Sequence, residues 1–185
     1  MAAGDTLVLY GSFASATPGA TTPSGWTKIG DKATSAMDSA VWTKTATASD
    51  AGSTIKVPLT GSTTAFKSTL TVAGYRGAGA LTSSNLASSA DSALVTNHVS
   101  PAVTATPGAW LLSYWADKSS TTTDWAEPAS VTKREETLVT TTGRITSLLG
   151  DSNGGVPSGT AGGLTATTNA TSKGVSWSIV LPSAG

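Results

Sequence analysis

The chain has 185 residues, of which 11 are Lys or Arg and 11 are Asp or Glu, so its formal net charge is zero. Charged residues make up 12% of the sequence, about half of the roughly 25% usual in globular domains, and this neutral composition argues against nucleic acid or a membrane as a partner. The lack of cysteine excludes disulfides and thiolate metal sites, and no apolar run is long enough for a membrane-spanning helix.

Alternating apolar and polar residues predict a series of short strands. The first is Thr6–Phe13, followed by a Pro/Gly/Thr turn at 17–25 and a second strand at 39–46. In the next segment, 53–59, Ile55, Val57 and Leu59 share one face of a predicted strand. Because Pro58 has no backbone N–H to donate, this strand is expected to lie at a sheet edge or to end there.

The second half of the chain continues the same pattern. Strands are predicted at 68–77, 108–117, 143–151 and 173–182, and the last has the clearest alternation, with Val175, Trp177, Ile179 and Leu181 facing inward. About ten short strands separated by Gly, Pro, Ser, Thr and Asp turns predict an all-β fold. We expect a single domain over residues 1–185, an antiparallel β-sandwich of jelly-roll type.

The stretch "SYWADKSSTTTDW", residues 113–125, combines aromatic rings, carboxylates and hydroxyls. In a strand, Trp110 and Tyr114 share one face and Trp115 lies on the other, so one set of aromatics points away from the sandwich core. The outward ring must be covered by the chain's own following loop with Trp125 folding back, by a partner subunit, or by a sugar ligand. The sequence leaves these three alternatives open.

Other polar residues give weaker signals for chemistry. Asp117, Asp124 and Asp151 could offer oxygen ligands to calcium, but no EF-hand spacing is present and "DSNGG" at 151–155 is typical of a turn. His98, the single histidine, has no nucleophile motif around it and is expected to be solvated or capping. Glu135 and Glu136 are adjacent, so in a strand they face opposite sides. We therefore predict no catalytic residue, metal or cofactor.

Several segments in order resemble a known family: "TPSGWTKIG", "VWTKTATASDAGSTIKVPLTG", "YRGAG", "AWLLSYWADKSSTTTDWAEPASVTKR", "GRITSLLGDS", "GGLTATT" and "SWSIVLPSAG". Together they resemble Thr/Ser-rich β-sandwich domains of actinobacterial extracellular proteins and of the virion proteins of phages that infect those bacteria. The resemblance spans nearly the whole chain. It implies a non-enzymatic structural or adhesive module, with no catalytic motif to carry over.

A copy that starts at its own Met1 without an export signal fits a phage product assembled in the host cytoplasm and released by lysis. The resemblance then implies a capsid decoration (cement) protein that binds the major capsid protein, or else tail proteins, as a homo-oligomer, possibly a trimer. The expected contacts are an N-terminal arm (Ala2, Ala3, Gly4, Asp5 and Thr6) and the loop region with Trp115, Asp117, Lys118, Asp124 and Trp125.

The alternative function is a carbohydrate-binding or adhesion module of a phage tail or a cell surface. In that interpretation Trp115, Trp125 or Tyr114 is the stacking platform for a sugar ring, and Asp117 and Lys118 bond to sugar hydroxyls.

Overall fold

The computed structural model describes residues 1–15, 19–60 and 65–184, and their regular structure is almost entirely β. Ten strands have five residues or more: β1 (Thr6–Phe13), β3 (Thr27–Ala33), β4 (Asp38–Thr45), β6 (Ser68–Tyr75), β7 (Leu86–Ala90), β8 (Val95–Val99), β10 (Trp110–Ser119), β12 (Thr132–Thr137), β13 (Arg144–Asp151) and β15 (Thr165–Leu181). Five are shorter: β2 (Gly19–Ala20), β5 (Leu59–Thr60), β9 (Ala102–Ala105), β11 (Trp125–Ala126) and β14 (Gly159–Gly162). Short 3-10 helices lie at Ala48–Asp50 and Ser83–Asn85.

The first sheet has four antiparallel strands in the order β3-β4-β1-β6. The whole of β1 is paired on both sides, with Thr6 between Thr45 and Tyr75 and Phe13 between Asp38 and Ser68. The strand β1 is central and completely buried, and its bounds, Thr6–Phe13, are those predicted from the sequence pattern. The strand β6 forms one edge of this sheet.

The second sheet contains the path β11-β15-β10-β13-β12, and the long β15 also pairs with β7 and β8. Its strands all come from residues 86–181, whereas those of the first sheet come from residues 6–75. Two small sheets, β14-β9 and β2-β5, complete the structure. The predicted all-β antiparallel sandwich is confirmed. The described residues form fifteen strands where about ten were predicted, because five of them are pieces of only two to four residues.

The core lies between the two large sheets. Tyr10 of β1 stacks on Tyr114 of β10 with ring centroids 4.6 Å apart, and Trp177 of β15 donates its indole N–H to Ser39 of β4 at 3.0 Å. These contacts place β1 over β10 and β4 over β15. Because Val175, Trp177, Ile179 and Leu181 all belong to the core cluster, the predicted inward face of the last strand is confirmed.

The outer face of the first sheet carries a second apolar cluster, which includes Trp42 and Phe13, and Ile55 and Val57 pack against it. The predicted strand at 53–59 is wrong for most of its length. Residues 53–58 are irregular, and only Leu59 enters a strand, where it pairs with Ala20 and remains 40% exposed. Ile55 and Val57 contribute by packing on this cluster instead of by forming a strand.

The predicted turn at 17–25 lies partly outside the described residues. In its described part, Ala20 already belongs to β2, and Trp26 donates its backbone N–H to the carbonyl of Pro23 at 3.1 Å. That hydrogen bond closes a turn in which Gly25 takes a φ of +78°, a conformation that glycine adopts without strain.

The predicted N-terminal arm is wrong for Asp5 and Thr6, which are both buried. Ala2 donates its backbone N–H to the Asp5 carboxylate at 2.6 Å, and this bond is the main reason that the pKa of Asp5 is lowered. Gly4 donates to the carbonyl of Ala46 at 2.9 Å. Ala2, Ala3 and Gly4 are exposed, but they form a turn held to the first sheet and do not extend as an arm.

Candidate functional site

The aromatic stretch of β10 is covered by the protein itself. Trp115 packs on the outer side of the second sheet in a cluster with Trp125, Val131, Leu148 and Ala166, while Tyr114 faces the core on the opposite side. Trp125 folds back from the loop that follows β10 and is 1% exposed. Of the three alternatives for covering the outward ring, the structure shows the first.

A hydroxyl network around Asp117 fastens this loop to the sheet. The fully buried Asp117 carboxylate accepts hydrogen bonds from the hydroxyls of Thr122, at 2.6 Å, and Thr146, at 2.5 Å. The indole N–H of Trp125 donates to the same Thr146 hydroxyl at 2.8 Å. The guanidinium of Arg144 donates to the carbonyl of Thr122. Loop and sheet are therefore joined at both ends by buried polar contacts.

The five predicted contact residues do not form a common exposed surface. Trp115, Asp117 and Trp125 are buried, so they offer no surface for a sugar ring or a partner. Lys118 is half-buried and donates to the backbone carbonyls of Ala14, at 3.1 Å, and Ala36, at 3.2 Å. Asp124 alone is exposed. The expectation of a binding site here is corrected: the stretch closes the fold.

His98 is buried, against the prediction of a solvated residue, and it joins an Asp-His-Thr arrangement. Its Nδ1 lies 2.6 Å from Asp91 Oδ2 and its Nε2 lies 3.1 Å from Thr168 Oγ1. The ring also packs against Trp125 at 5.0 Å. The distances resemble those of a hydrolase triad. However, His98 and Thr168 are 3% exposed or less, so no substrate reaches the hydroxyl in this conformation. The cluster joins β8 to the bulged part of β15.

The carboxylates proposed as calcium ligands are dispersed. Asp117 is saturated by hydroxyls, Asp124 is exposed, and Asp151 is paired with Arg134. Asp151 also accepts the backbone N–H of Asn153 at 2.9 Å, as the predicted turn requires. Among the residues that the structure describes, no group of three or more His, Asp or Glu side chains is placed to hold a metal ion.

An open groove lies between β6 and β12, and we call it the edge groove. It has a volume of about 770 Å³. One wall is the free edge of β6 from Leu70 to Tyr75, and the other is formed by Arg134, Glu135 and Thr137 of β12. Trp110, Leu149 and Leu181 line the groove from the second sheet. Its size and mostly apolar lining are typical of a binding site.

An ion pair of the second sheet and a tyrosine of the first meet at the groove. Arg134 binds Asp151 with two hydrogen bonds of 2.8 Å, and the hydroxyl of Tyr75 donates to the same carboxylate at 3.2 Å. The hydrogen bond to Asp151 raises the pKa of Arg134, and burial raises the pKa of Tyr75 well above its ordinary value. Tyr75 in turn meets Trp110 edge-on at 6.1 Å. Through Tyr75, these contacts join β6 to the second sheet.

Exposed apolar side chains border the groove on the β6 side. Leu70 is 46% exposed and Val72 is 49% exposed, because the alternation of β6 is the reverse of the usual one. Thr69 and Thr71 face inward, where Thr69 approaches the hydroxyl of Tyr114 at 3.4 Å. Sequence reasoning missed this groove. The one signal was the pattern "STLTVAGY", in which apolar and hydroxyl residues alternate without any charge.

Comparison with family models, with curated proteins and with solved structures yields no match for this chain. Of the described residues, no helix has the length and apolar character needed to cross a membrane.

Proposed function

We propose that this chain is a non-enzymatic structural protein of a bacteriophage virion, a capsid decoration protein that binds the major capsid protein of the assembled shell. The observation that carries the proposal is the edge groove, which offers an uncovered apolar surface beside the unpaired edge of β6. The ordered sequence segments that resemble actinobacteriophage virion proteins give the kind of partner. The protein assembles in the host cytoplasm and leaves the cell within the virion.

The polar clusters of the chain support a structural role. The hydroxyl, carboxylate and imidazole groups that resemble catalytic arrangements, around Asp117 and His98, are buried and bonded to one another. The surface that remains for partners is apolar and hydroxyl-rich. Because each shell presents many copies of the same site, modest affinity at one groove is enough to cover the shell.

The carbohydrate-binding alternative loses its predicted platform, since Trp115, Trp125 and Tyr114 have no exposed face. We therefore propose the decoration function in preference to it. In this proposal subunits also contact one another on the shell as a homo-oligomer, a trimer at the symmetry axes.

The experiment is a binding assay on purified virions of the phage that encodes the chain. Virions are first stripped of accessory proteins by mild denaturant, and the purified chain is then added back and sedimented with the shells. We expect saturable binding, with a fixed number of copies per capsomer set by the shell lattice. A chain that stays in the supernatant at every concentration, while the stripped shells remain intact, overturns the proposal.

A further inference from the structure

The two sheets differ in width at the edge groove. Across the sandwich β1 lies over β10 and β4 over β15, and Tyr75 of β6 contacts Asp151 of β13. The second sheet then continues by one more strand, β12, while the first sheet ends at β6. The groove is therefore the place that a fifth strand of the first sheet would occupy, facing β12 across the sandwich.

The free edge of β6 has backbone groups available for such a strand. In an antiparallel pair every second residue directs its N–H and C=O toward the partner, and the residues between direct theirs away. All eight residues of β6 pair with β1. In the described part of the chain, no strand pairs with the opposite edge of β6. An added strand would find a continuous row of donors and acceptors.

This edge lacks the features by which proteins protect exposed strands. The edge strand β3 has charged residues and a bulge between Lys28 and Gly30, and β12 has charges and a bulge between Lys133 and Glu135. By contrast, β6 has no charge, no proline and no bulge over its length. An unprotected edge of this kind is either a risk of aggregation or a binding site.

The overhanging β12 excludes a second copy of the chain from this edge. If β6 paired with β6 of another copy, the second copy would bring its own β13 opposite its β6, in the space that β12 already fills. A single extended segment brings no second layer and meets no such obstacle. The charged residues that line the groove are Arg76 and Arg134 against Glu135 and Asp151, so their formal charges cancel and favour an uncharged segment.

We propose that the edge groove binds an extended, uncharged segment of a partner polypeptide, which adds as a fifth strand to β6. One set of its alternate side chains packs on Trp110, Leu149 and Leu181, and the other set lies beside Leu70 and Val72 on the outer face. The identity of the partner as a shell protein rests on the proposed function, whereas strand addition itself can be tested on the isolated chain.

The test uses the position of the C-terminus. Ala184 donates its backbone N–H to the carbonyl of Gly77 at 2.9 Å, and Pro182 and Ser183 line the groove, so a tail added here starts beside the end of β6. We would append a short Gly/Ser linker and six residues of alternating Thr and Val, which span about 20 Å as a strand. The matched control carries a Gly/Ser tail of the same length.

We expect hydrogen exchange of the β6 amides on the free edge to slow at least tenfold with the Thr/Val tail relative to the control. Glu135→Trp fills the groove and should abolish this protection, as should Thr137→Trp if the first variant fails to fold. Lys133→Trp, on the same strand but with its side chain on the opposite face of the sheet, should leave it unchanged. Equal β6 exchange rates with both tails, in a chain that is folded by circular dichroism, overturn strand addition.

Binding to stripped virion shells then separates this inference from the proposed function. We expect Glu135→Trp to weaken shell binding at least tenfold and Lys133→Trp to leave it unchanged. If both variants bind like the wild type, the groove is not the shell contact and the inference fails while the proposed function stands. If the wild type does not bind shells, the proposed function fails and the exchange experiment alone decides strand addition. A wild-type dimer that Glu135→Trp dissociates would instead show a second copy in the groove and overturn the inference.

Discussion

Replacing Trp125 by alanine should destabilise the protein strongly without touching any binding surface. Trp125 is 1% exposed, packs with Trp115 and Leu148, and contacts the ring of His98. Truncation of a buried tryptophan to alanine costs about 3–5 kcal/mol through lost burial and the remaining cavity. Such a loss is a large share of the 5–15 kcal/mol that stabilises a typical domain.

Two further variants separate the contributions of the buried ring and of its hydrogen bond, and control for loss of a less buried tryptophan. Trp125→Phe keeps a buried ring but loses the indole hydrogen bond to Thr146, and we expect a loss of about 1 kcal/mol. Trp26→Ala is the matched control, because Trp26 is only half-buried at the margin of the outer cluster of the first sheet. Removing a partly exposed ring should cost about 1–2 kcal/mol.

Equilibrium unfolding in urea, followed by far-UV circular dichroism, measures all three variants. With an m-value of about 2 kcal/mol/M, Trp125→Ala should lower the midpoint by about 2 M. The reasoning is refuted if Trp125→Ala unfolds within about 1 kcal/mol of the wild type. If the same variant also lost binding to cell-wall glycans, Trp125 would be an exposed platform and the carbohydrate-binding alternative would return.

Two other predictions concern single contacts. The hydrogen bond from Lys44 is the largest of the contacts that lower the pKa of Asp50 to about 2 from its ordinary value of 3.8. The stability gained from this carboxylate is therefore present above pH 3.8 and is lost as the pH falls through about 2. Lys44→Met should move the Asp50 pKa, measured by NMR titration, back toward 3.8, and an unmoved pKa would contradict the assignment. A Cβ at Gly30 would lie 2.6 Å from the Trp177 ring, so Gly30→Ala should lower the free energy of unfolding in urea by about 1–3 kcal/mol. The control is Gly154→Ala, whose Cβ would have nothing within 4 Å and whose free energy of unfolding should stay within about 0.5 kcal/mol of the wild type. Equal midpoints for the two alanine variants would contradict the close packing at Gly30.

The strands that sequence alternation predicted well are those with one face in the core. Thr6–Phe13 and the last strand are buried along the sheet centre, so packing and alternation require the same residues inside. The segment at 53–59 also alternates, yet it crosses the outer face of the first sheet as irregular chain. Its apolar side chains pack against the Trp42 cluster although the segment has no strand partner. Alternation alone does not distinguish such a segment from a paired strand.

The candidate site could not be predicted because it depends on which strands become neighbours. The walls of the edge groove, β6 and β12, are separated by more than fifty residues and belong to different sheets. In β6, hydroxyls face inward because Thr69 meets the hydroxyl of Tyr114 inside the core, and Leu70 is left outside. In the aromatic stretch at 113–125, Tyr114 fills the core between the sheets, and Trp115 and Trp125 fill the space beneath a loop.

Ser and Thr make up about a third of the chain, and the buried ones serve the polar groups of the interior. Ser12 contacts Ser39 and Tyr114 in the core, and Thr122 and Thr146 serve Asp117 below the loop. Hydroxyls both donate and accept, and Ser and Thr do not titrate, so they complete such networks without adding buried charge. The same composition leaves β6 without a charged residue, as a strand edge that binds by shape and backbone hydrogen bonds requires.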